Sequence, residues 1–509
     1  MNIKQAKQEI ANTLRAYLAK DGLGNYLIPS VRQRPVLLMG PPGIGKTQIM
    51  EQVAAESGVG LVAYTITHHT RQSAIGLPFI EKRTYGGEEF SVTEYTMSEI
   101  LASVYRLMER TGLTEGILFL DEINCVSETL APMMLQFLQC KTFGNQHLPE
   151  GWLIVAAGNP PEYNKSVRDF DVVTLDRVKR IDVAEDFTVW KEYARRKGIH
   201  GAVISYLDIK KDNFYRIETT VDGLQFATAR GWEDLSELIL AYETLGLRVD
   251  REVVGQYIQL PRIAKDFANY LELYYKYQRT YHVDDILRGQ WQNITVLQLR
   301  EAPFDEKLSV MGLVLSRLAE AARETRRQDA LTTALHGALT EFKTAGGAEP
   351  QTVLAQLVRR RQEKLRQARE AGQLDKETRD LGQREINALE DYRQCLAREE
   401  ITALKAAMDA VRGWFGGEVE KRRSLGAETG AQFDNAFRFL EQTFGQGQEL
   451  VIFVTEVTAG YDTSWFVENF GCDAYFRHNK ELLFDDTRHR IREEIAAAKA
   501  AEREGESHA

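Results

Sequence analysis

The sequence predicts an α/β fold with a parallel, doubly wound sheet, followed by a long, mainly helical region. Three observations carry this. An apolar run, VLLM, leads through a glycine-rich turn into a helical pattern over residues 36–57. Two further apolar strands, GILFLD and GWLIVAAG, end in the polar residues Asp121–Glu122 and Asn159. From about residue 308 to 445 the chain is rich in Ala, Leu, Glu, Arg and Gln and poor in proline, which favours long helices.

The first element is the stretch GPPGIGKT, residues 40–47. Gly40, Gly43 and Gly45 let the backbone turn so that successive N–H groups converge on phosphate oxygens at the start of the next helix; Pro41, Pro42 and Ile44 complete the loop. Lys46 is placed to reach terminal phosphates. Thr47 carries a hydroxyl suited to Mg2+, a small, hard ion that prefers oxygen, and Gln48 closes the set expected around the nucleotide. The second element, GILFLDEIN, supplies Asp121 to hold Mg2+ and Glu122 to polarise an attacking water, so hydrolysis and not only binding is expected. The third, GWLIVAAGNP, brings Asn159 to orient that water or touch the terminal phosphate. Arg177 and Arg180 in DVVTLDRVKRIDV, and Arg230 in FATARGWEDLSELIL, offer guanidinium groups for developing phosphate charge.

In this order the motifs resemble the AAA+ ATPases, specifically the MoxR branch, over about residues 30–285. That resemblance implies a P-loop αβα sandwich with a small helical lid, with ATP and Mg2+ as cofactors. It makes GPPGIGKT the Walker A loop, ILFLDE Walker B, Asn159 sensor 1, Arg177 the arginine finger with Arg180 in reserve, and Arg230 sensor 2. A finger acts on the neighbouring subunit, so a homo-oligomeric ring is implied, usually a hexamer. Residues 68–95 resemble the branch's insertion hairpin, and 135–152 the hairpin before sensor 1, with Phe143 and Gly144 expected at an exposed turn. The adjacent His68 and His69 lack the carboxylate or Cys support of a metal site. Upstream, DGLGNYLIPSVRQRP replaces the family's usual Gly-Gln segment near the adenine, leaving the base pocket unassigned.

The domains expected are a helical segment at 1–34, the nucleotide-binding core at 35–185, a lid at 186–289 and a mainly helical domain or arm at 290–509. Ile10, Leu14, Tyr17 and Leu18 share one helical face, read as packing on the core. Tyr270, Tyr274, Tyr277 and Tyr281 recur at helical spacing; acidic neighbours favour packing over base stacking. AGGAEP at 345–350 and WFGGE at 414–418 read as breaks, and over 380–410 a coiled coil and a bundle or arm fit equally. The basic run VRRRQEKLRQAR at 358–369 reads as a solvated helix face. ELVIFVTEVT, residues 449–458, reads as a short β-containing end. GYDTSWF is similar to the DxSxS metal motif of von Willebrand factor type A domains, but Phe466 stands where the last serine is needed. MoxR-type ATPases commonly act on separate proteins with that domain, so such a protein is the partner the resemblance implies.

Composition sets the remaining bounds. With 64 Lys+Arg against 74 Asp+Glu the net charge is -10, which argues against a dedicated nucleic-acid surface. Cys125, Cys140, Cys395 and Cys472 have neither zinc nor disulfide spacing. No signal-peptide core or long apolar span occurs, so a cytoplasmic protein without membrane contact is expected. The leading expectation is an ATP-hydrolysing ring that remodels or activates a protein client. The alternative is a nucleic-acid-directed motor of the restriction or branch-migration kind.

Overall fold

The computed structural model describes residues 1–68, 76–143, 146–163, 167, 170–220, 223–345, 349–372 and 374–480. By contacts the chain forms two compact units: one from residues 1–189, 228–230 and 345–402, the other from 190–227, 231–344 and 403–509.

The first unit is built on a five-stranded parallel sheet. Its strands are β1 (Val36–Met39), β2 (Gly60–Thr65), β5 (Gly116–Asp121), β8 (Trp152–Gly158) and β9 (Lys179–Asp182), in the spatial order β2-β5-β8-β1-β9. Between β2 and β5 lies a separate antiparallel ribbon, β3 (Pro78–Tyr85) with β4 (Glu88–Tyr95). Before β8 comes a two-residue pair, β6 (Thr142–Phe143) with β7 (Gln146–His147). Alternation along the strands feeds two cores. Leu37, Met39, Leu118, Leu120, Ile154 and Ala156 face helices α3 (Glu99–Thr111) and α4 (Ala131–Cys140). Val36, Leu38, Ile117, Phe119, Val155 and Ala157 face α1 (Ile3–Leu18) and α2 (Lys46–Ser57). A sheet covered on both faces needs continuous apolar strands, which is why VLLM and WLIVAAG carry no polar residue. Ile10 and Leu14 of α1 are core residues, as their helical spacing implies.

The order of the strands locates the site. From β1 the chain crosses to the far edge at β2, so the crevice beyond the carboxyl end of β1 lies where the winding changes direction. The register Met39↔Gly158 and Leu120↔Ala156 brings the tips of β1, β5 and β8 level.

Within the first unit, the helices Pro350–Glu370 and Lys376–Arg398 form a hairpin. Its turn rests on the sheet domain: Arg110 donates to the Glu370 carbonyl at 2.8 Å, and Gly372 lies against Leu61. The 380–410 stretch is not one helix, since the chain breaks at Glu400, with φ 52°, and a new helix starts at Leu404.

The second unit is mainly helical and corrects two expectations. Residues 449–458 are not a strand but lie within the helix Gln448–Ala459, where Leu450, Phe453, Val454 and Val457 are buried at helical spacing. WFGGE is not a break, for the helix Leu404–Phe444 runs through it. At AGGAEP the helix Phe304–Thr344 ends just before the stretch and the helix Pro350–Glu370 starts at its last residue, while residues 346–348 lie outside the described residues. The tyrosine stripe lies on the helix Pro261–Tyr281 and packs: Tyr274 and Tyr281 are buried, and Tyr270 donates to Ser205 Oγ at 2.9 Å. Asp462 of GYDTSWF is 3% exposed and held by the guanidinium groups of Arg323 and Arg326, each at 2.9 Å, so the carboxylate has a structural task. Among the described residues no helix is long and apolar enough to cross a membrane.

Candidate active site

The loop between β1 and α2 turns through two positive-φ glycines, Gly43 at 76° and Gly45 at 91°, conformations that glycine adopts without strain. Gly40 has a different reason: a Cβ there would meet the Val183 carbonyl at 2.6 Å. Lys46 opens α2 and is 8% exposed. Its ammonium donates to the Gly40 and Pro41 carbonyls and to Asn159 Oδ1, all at 2.8 Å. Burial lowers its pKa to about 8, and Arg230 adds to the fall, while the Asp121 and Glu122 carboxylates oppose it. The lysine is thus an ammonium whose hydration has been exchanged for loop oxygens and nearby carboxylates. It is suited to anionic oxygens presented at the same place.

Thr47 Oγ1 donates to Asp121 Oδ2 at 3.0 Å, so the second residue of α2 meets the tip of β5. Two oxygen donors side by side fit a Mg2+ ion. Beyond Asp121, Glu122 has φ 57°, an unusual conformation for a residue with a side chain. This turn sends Ile123 and Asn124 inward, 2% and 3% exposed, and leaves the Glu122 carboxylate to accept from Thr67 Oγ1 at 2.8 Å. Asn124 then holds the tip of β8: its Nδ2 donates to the Asn159 carbonyl at 2.8 Å and its Oδ1 accepts from the Asn159 N–H at 3.3 Å. Lys46, Thr47, Asp121, Glu122 and Asn159 therefore stand together at one edge of the sheet.

The arginines divide. Arg230, in the residues 228–230 that belong to this unit, lies at the loop: a Cβ on Gly43 would come within 3.3 Å of the Arg230 Cβ. Arg177 is exposed and donates to Gln139 Oε1, and Arg180, also exposed, is paired with Asp182 of its own strand at 2.8 Å.

One expectation about the surroundings is corrected, and part of the segment upstream of β1, left without a role by the sequence, is placed. Lys20 and Tyr26 contact the Glu115 carboxylate at 2.7 and 3.3 Å, and Glu115 precedes β5 at the opposite end of the sheet. The flank of the phosphate loop is instead Val183, whose neighbour Ala184 donates to the Met1 carbonyl at 2.8 Å; Asn2 donates to Asp186 at 3.2 Å. Phe143 is not exposed at a turn but 3% exposed and stacked on Phe137, ring centroids 4.0 Å apart. Gly144, His69 and the His68 side chain lie outside the described residues. Sequence reasoning missed Thr67 and gave Asn124 no role. Thr67 carries no motif, whereas Asn124, a polar residue placed directly after a buried apolar one at a strand tip, was visible.

Residues 36–174 match the family model named ATPase family associated with various cellular activities, AAA. They form an AAA+ P-loop ATPase domain. The chain is accordingly an ATPase, with the αβα fold its strand pattern predicts. No curated protein sequence matches the chain. Among solved structures, a mutant of RuvB from Thermotoga maritima is 15% identical, covers 51% of this chain and 70% of its own, and has a TM-score of 0.28. A putative ATPase from Cytophaga hutchinsonii is 16% identical, covers 36% of this chain and 50% of its own, and has a TM-score of 0.22. At these scores neither likeness bears on what the ATPase acts upon.

Proposed function

We propose that the chain is a MoxR-like AAA+ ATPase that assembles into a homo-oligomeric ring, hexameric by family resemblance, and spends ATP hydrolysis on remodelling a protein client. The observation that carries the reading is the meeting of Lys46, Thr47, Asp121, Glu122 and Asn159 at one sheet edge, while Arg177 projects from the surface. In this reading Lys46 and the loop N–H groups hold the phosphates, and Arg230 adds a cation from the same subunit. Thr47 and Asp121 would hold Mg2+, which when bound neutralises phosphate charge. Glu122 polarises the water once it leaves Thr67, and Asn159 fixes the water's place between Lys46 and Glu122.

Arg177, or Arg180 in its place, completes the pocket of a neighbouring subunit. A von Willebrand factor type A protein as partner rests on the resemblance alone, whereas residues 290–509 are assigned to client recruitment because every named nucleotide residue lies before residue 231 and the composition turns to long helices beyond the lid. A cytoplasmic location accords with cysteines that have neither zinc nor disulfide spacing in the sequence. The test is capture with the full chain carrying Glu122→Gln, which should hold ATP unhydrolysed and retain its client for mass spectrometry. ATP-dependent capture of a protein supports the remodeller. Capture of nucleic acid instead, weakening steeply with salt, would replace it with the motor reading.

A further inference from the structure

The geometry points to Asn124 as the positioning residue of the hydrolytic site: its amide sets where the Asn159 side chain stands relative to Lys46 and Glu122. The inference rests on the reading of Asn159 as the residue beside the terminal phosphate, and it concerns what places that residue there.

The ladder between β5 and β8 ends at Leu120↔Ala156, and β8 pairs with β1 only as far as Met39↔Gly158, so Asn159 is the first residue of this tip beyond the sheet pairing. Asn124 takes over. Both polar atoms of its side chain are used on one residue, Nδ2 on the Asn159 carbonyl at 2.8 Å and Oδ1 on the Asn159 N–H at 3.3 Å. A single hydrogen bond would let Asn159 swing about it, whereas two on opposite sides of one Cα fix the backbone from which the side chain departs. The amide is 97% buried by its 3% exposure, so water does not compete for either atom.

Gly158 makes room for the clamp: a Cβ there would lie 2.7 Å from Asn124 Oδ1 and 2.9 Å from its Cγ. At the other end, Asn159 Oδ1 accepts from Lys46 Nζ at 2.8 Å. Asn124 follows Glu122 by two residues through the inward turn that the positive φ of Glu122 creates. One short segment therefore carries the carboxylate that prepares the water and the amide that holds the residue receiving it. Small displacements of such groups slow chemistry while leaving phosphate binding, which the loop supplies, largely intact.

The experiment is steady-state ATP hydrolysis and binding of a non-hydrolysable ATP analogue by the full chain carrying Asn124→Ala, Asn124→Asp, Gly158→Ala, Asn159→Ala or the pair Asn124→Ala/Asn159→Ala. Asn124→Asp keeps the acceptor but turns a carboxylate toward the Asn159 carbonyl, and Gly158→Ala displaces the amide by contact. Each should lower kcat about tenfold or more, with KM for ATP and analogue affinity within about threefold of wild type. Acting through Asn159, the Asn124 change should add no further loss to Asn159→Ala. Wild-type kcat in Asn124→Ala beside a slow Asn159→Ala would overturn the inference, as would losses that multiply in the pair. If all three variants at 124 and 158 fail to fold, the clamp is a stability element and the inference falls. Asn159→Ala hydrolysing at the wild-type rate would instead remove the reading of Asn159 itself, and the inference with it.

Discussion

At the scale of single residues, the site separates holding phosphate from activating water, and substitutions should separate them too. Lys46→Ala removes the buried ammonium and is expected to abolish ATP binding. Glu122→Gln, which keeps the shape and the contact with Thr67, is expected to bind ATP with near wild-type affinity and not turn it over. Equal ATP affinity in Lys46→Ala and wild type would remove the phosphate-cradle assignment.

A second buried lysine lies outside this chemistry. Lys141 is 7% exposed; its ammonium donates to Gln33 Oε1 at 3.3 Å, and burial lowers its pKa to about 8 from 10.5. The folded state therefore binds fewer protons than the unfolded between pH 8 and 10.5, so this residue makes stability rise with pH across that window. Below it, the full cost of burying the charge is present. Lys141→Met should stabilise the protein by about 2 kcal/mol at pH 7, allowing for the lost hydrogen bond, and by under about 1 kcal/mol at pH 10. Urea unfolding of both proteins at the two pH values checks this. A gain independent of pH would show that burial leaves the lysine's proton affinity unchanged.

At the scale of elements, the sheet was legible because its strands are buried on both faces and are punctuated by chemistry: VLLM before the glycine loop, FLDE and AAGN at the tips. Where chemistry was lacking, composition misled. ELVIFVTEVT is β-branched enough to read as a strand, yet its buried residues 450, 453, 454 and 457 carry the helical period, and packing decided over propensity. Phe453 is fully buried and meets Phe437 edge-on at 5.2 Å, while Val451 on the same helix is 39% exposed. Phe453→Ala is expected to cost about 3–5 kcal/mol and Val451→Thr less than about 0.5 kcal/mol. Comparable losses at both positions would contradict a one-sided helix. WFGGE misled for the complementary reason. Gly413, Gly416 and Gly417 face open space within the helix Leu404–Phe444, and flanking turns packed elsewhere carry the helix across them. The Thr67–Glu122 contact was illegible because it joins the ends of two adjacent strands 55 residues apart in sequence, and no local pattern records such a meeting.

At the scale of the whole molecule, the open question is whether one chain suffices for hydrolysis. Lys46 and Arg230 supply cations to the loop from the same unit, whereas the exposed side chain of Arg177 has a neutral partner, Gln139, and that of Arg180 is spent on Asp182. If Arg177 serves a neighbour, then Arg177→Ala and Lys46→Ala break different halves of the same composite site. Each variant alone should be inactive, since every interface in its ring lacks either finger or pocket. In an equal mixture, an intact pocket on an Arg177→Ala subunit meets an intact finger from a Lys46→Ala subunit at about a quarter of interfaces, so about that fraction of activity should return. The measurement is ATP hydrolysis across mixing ratios, with assembly followed by light scattering in ATP. Activity peaking near equal proportions supports a shared site. A flat, inactive series from mixtures that assemble like wild type would show that Arg177 does not act across subunits, and Arg180→Ala would take its place in the same experiment.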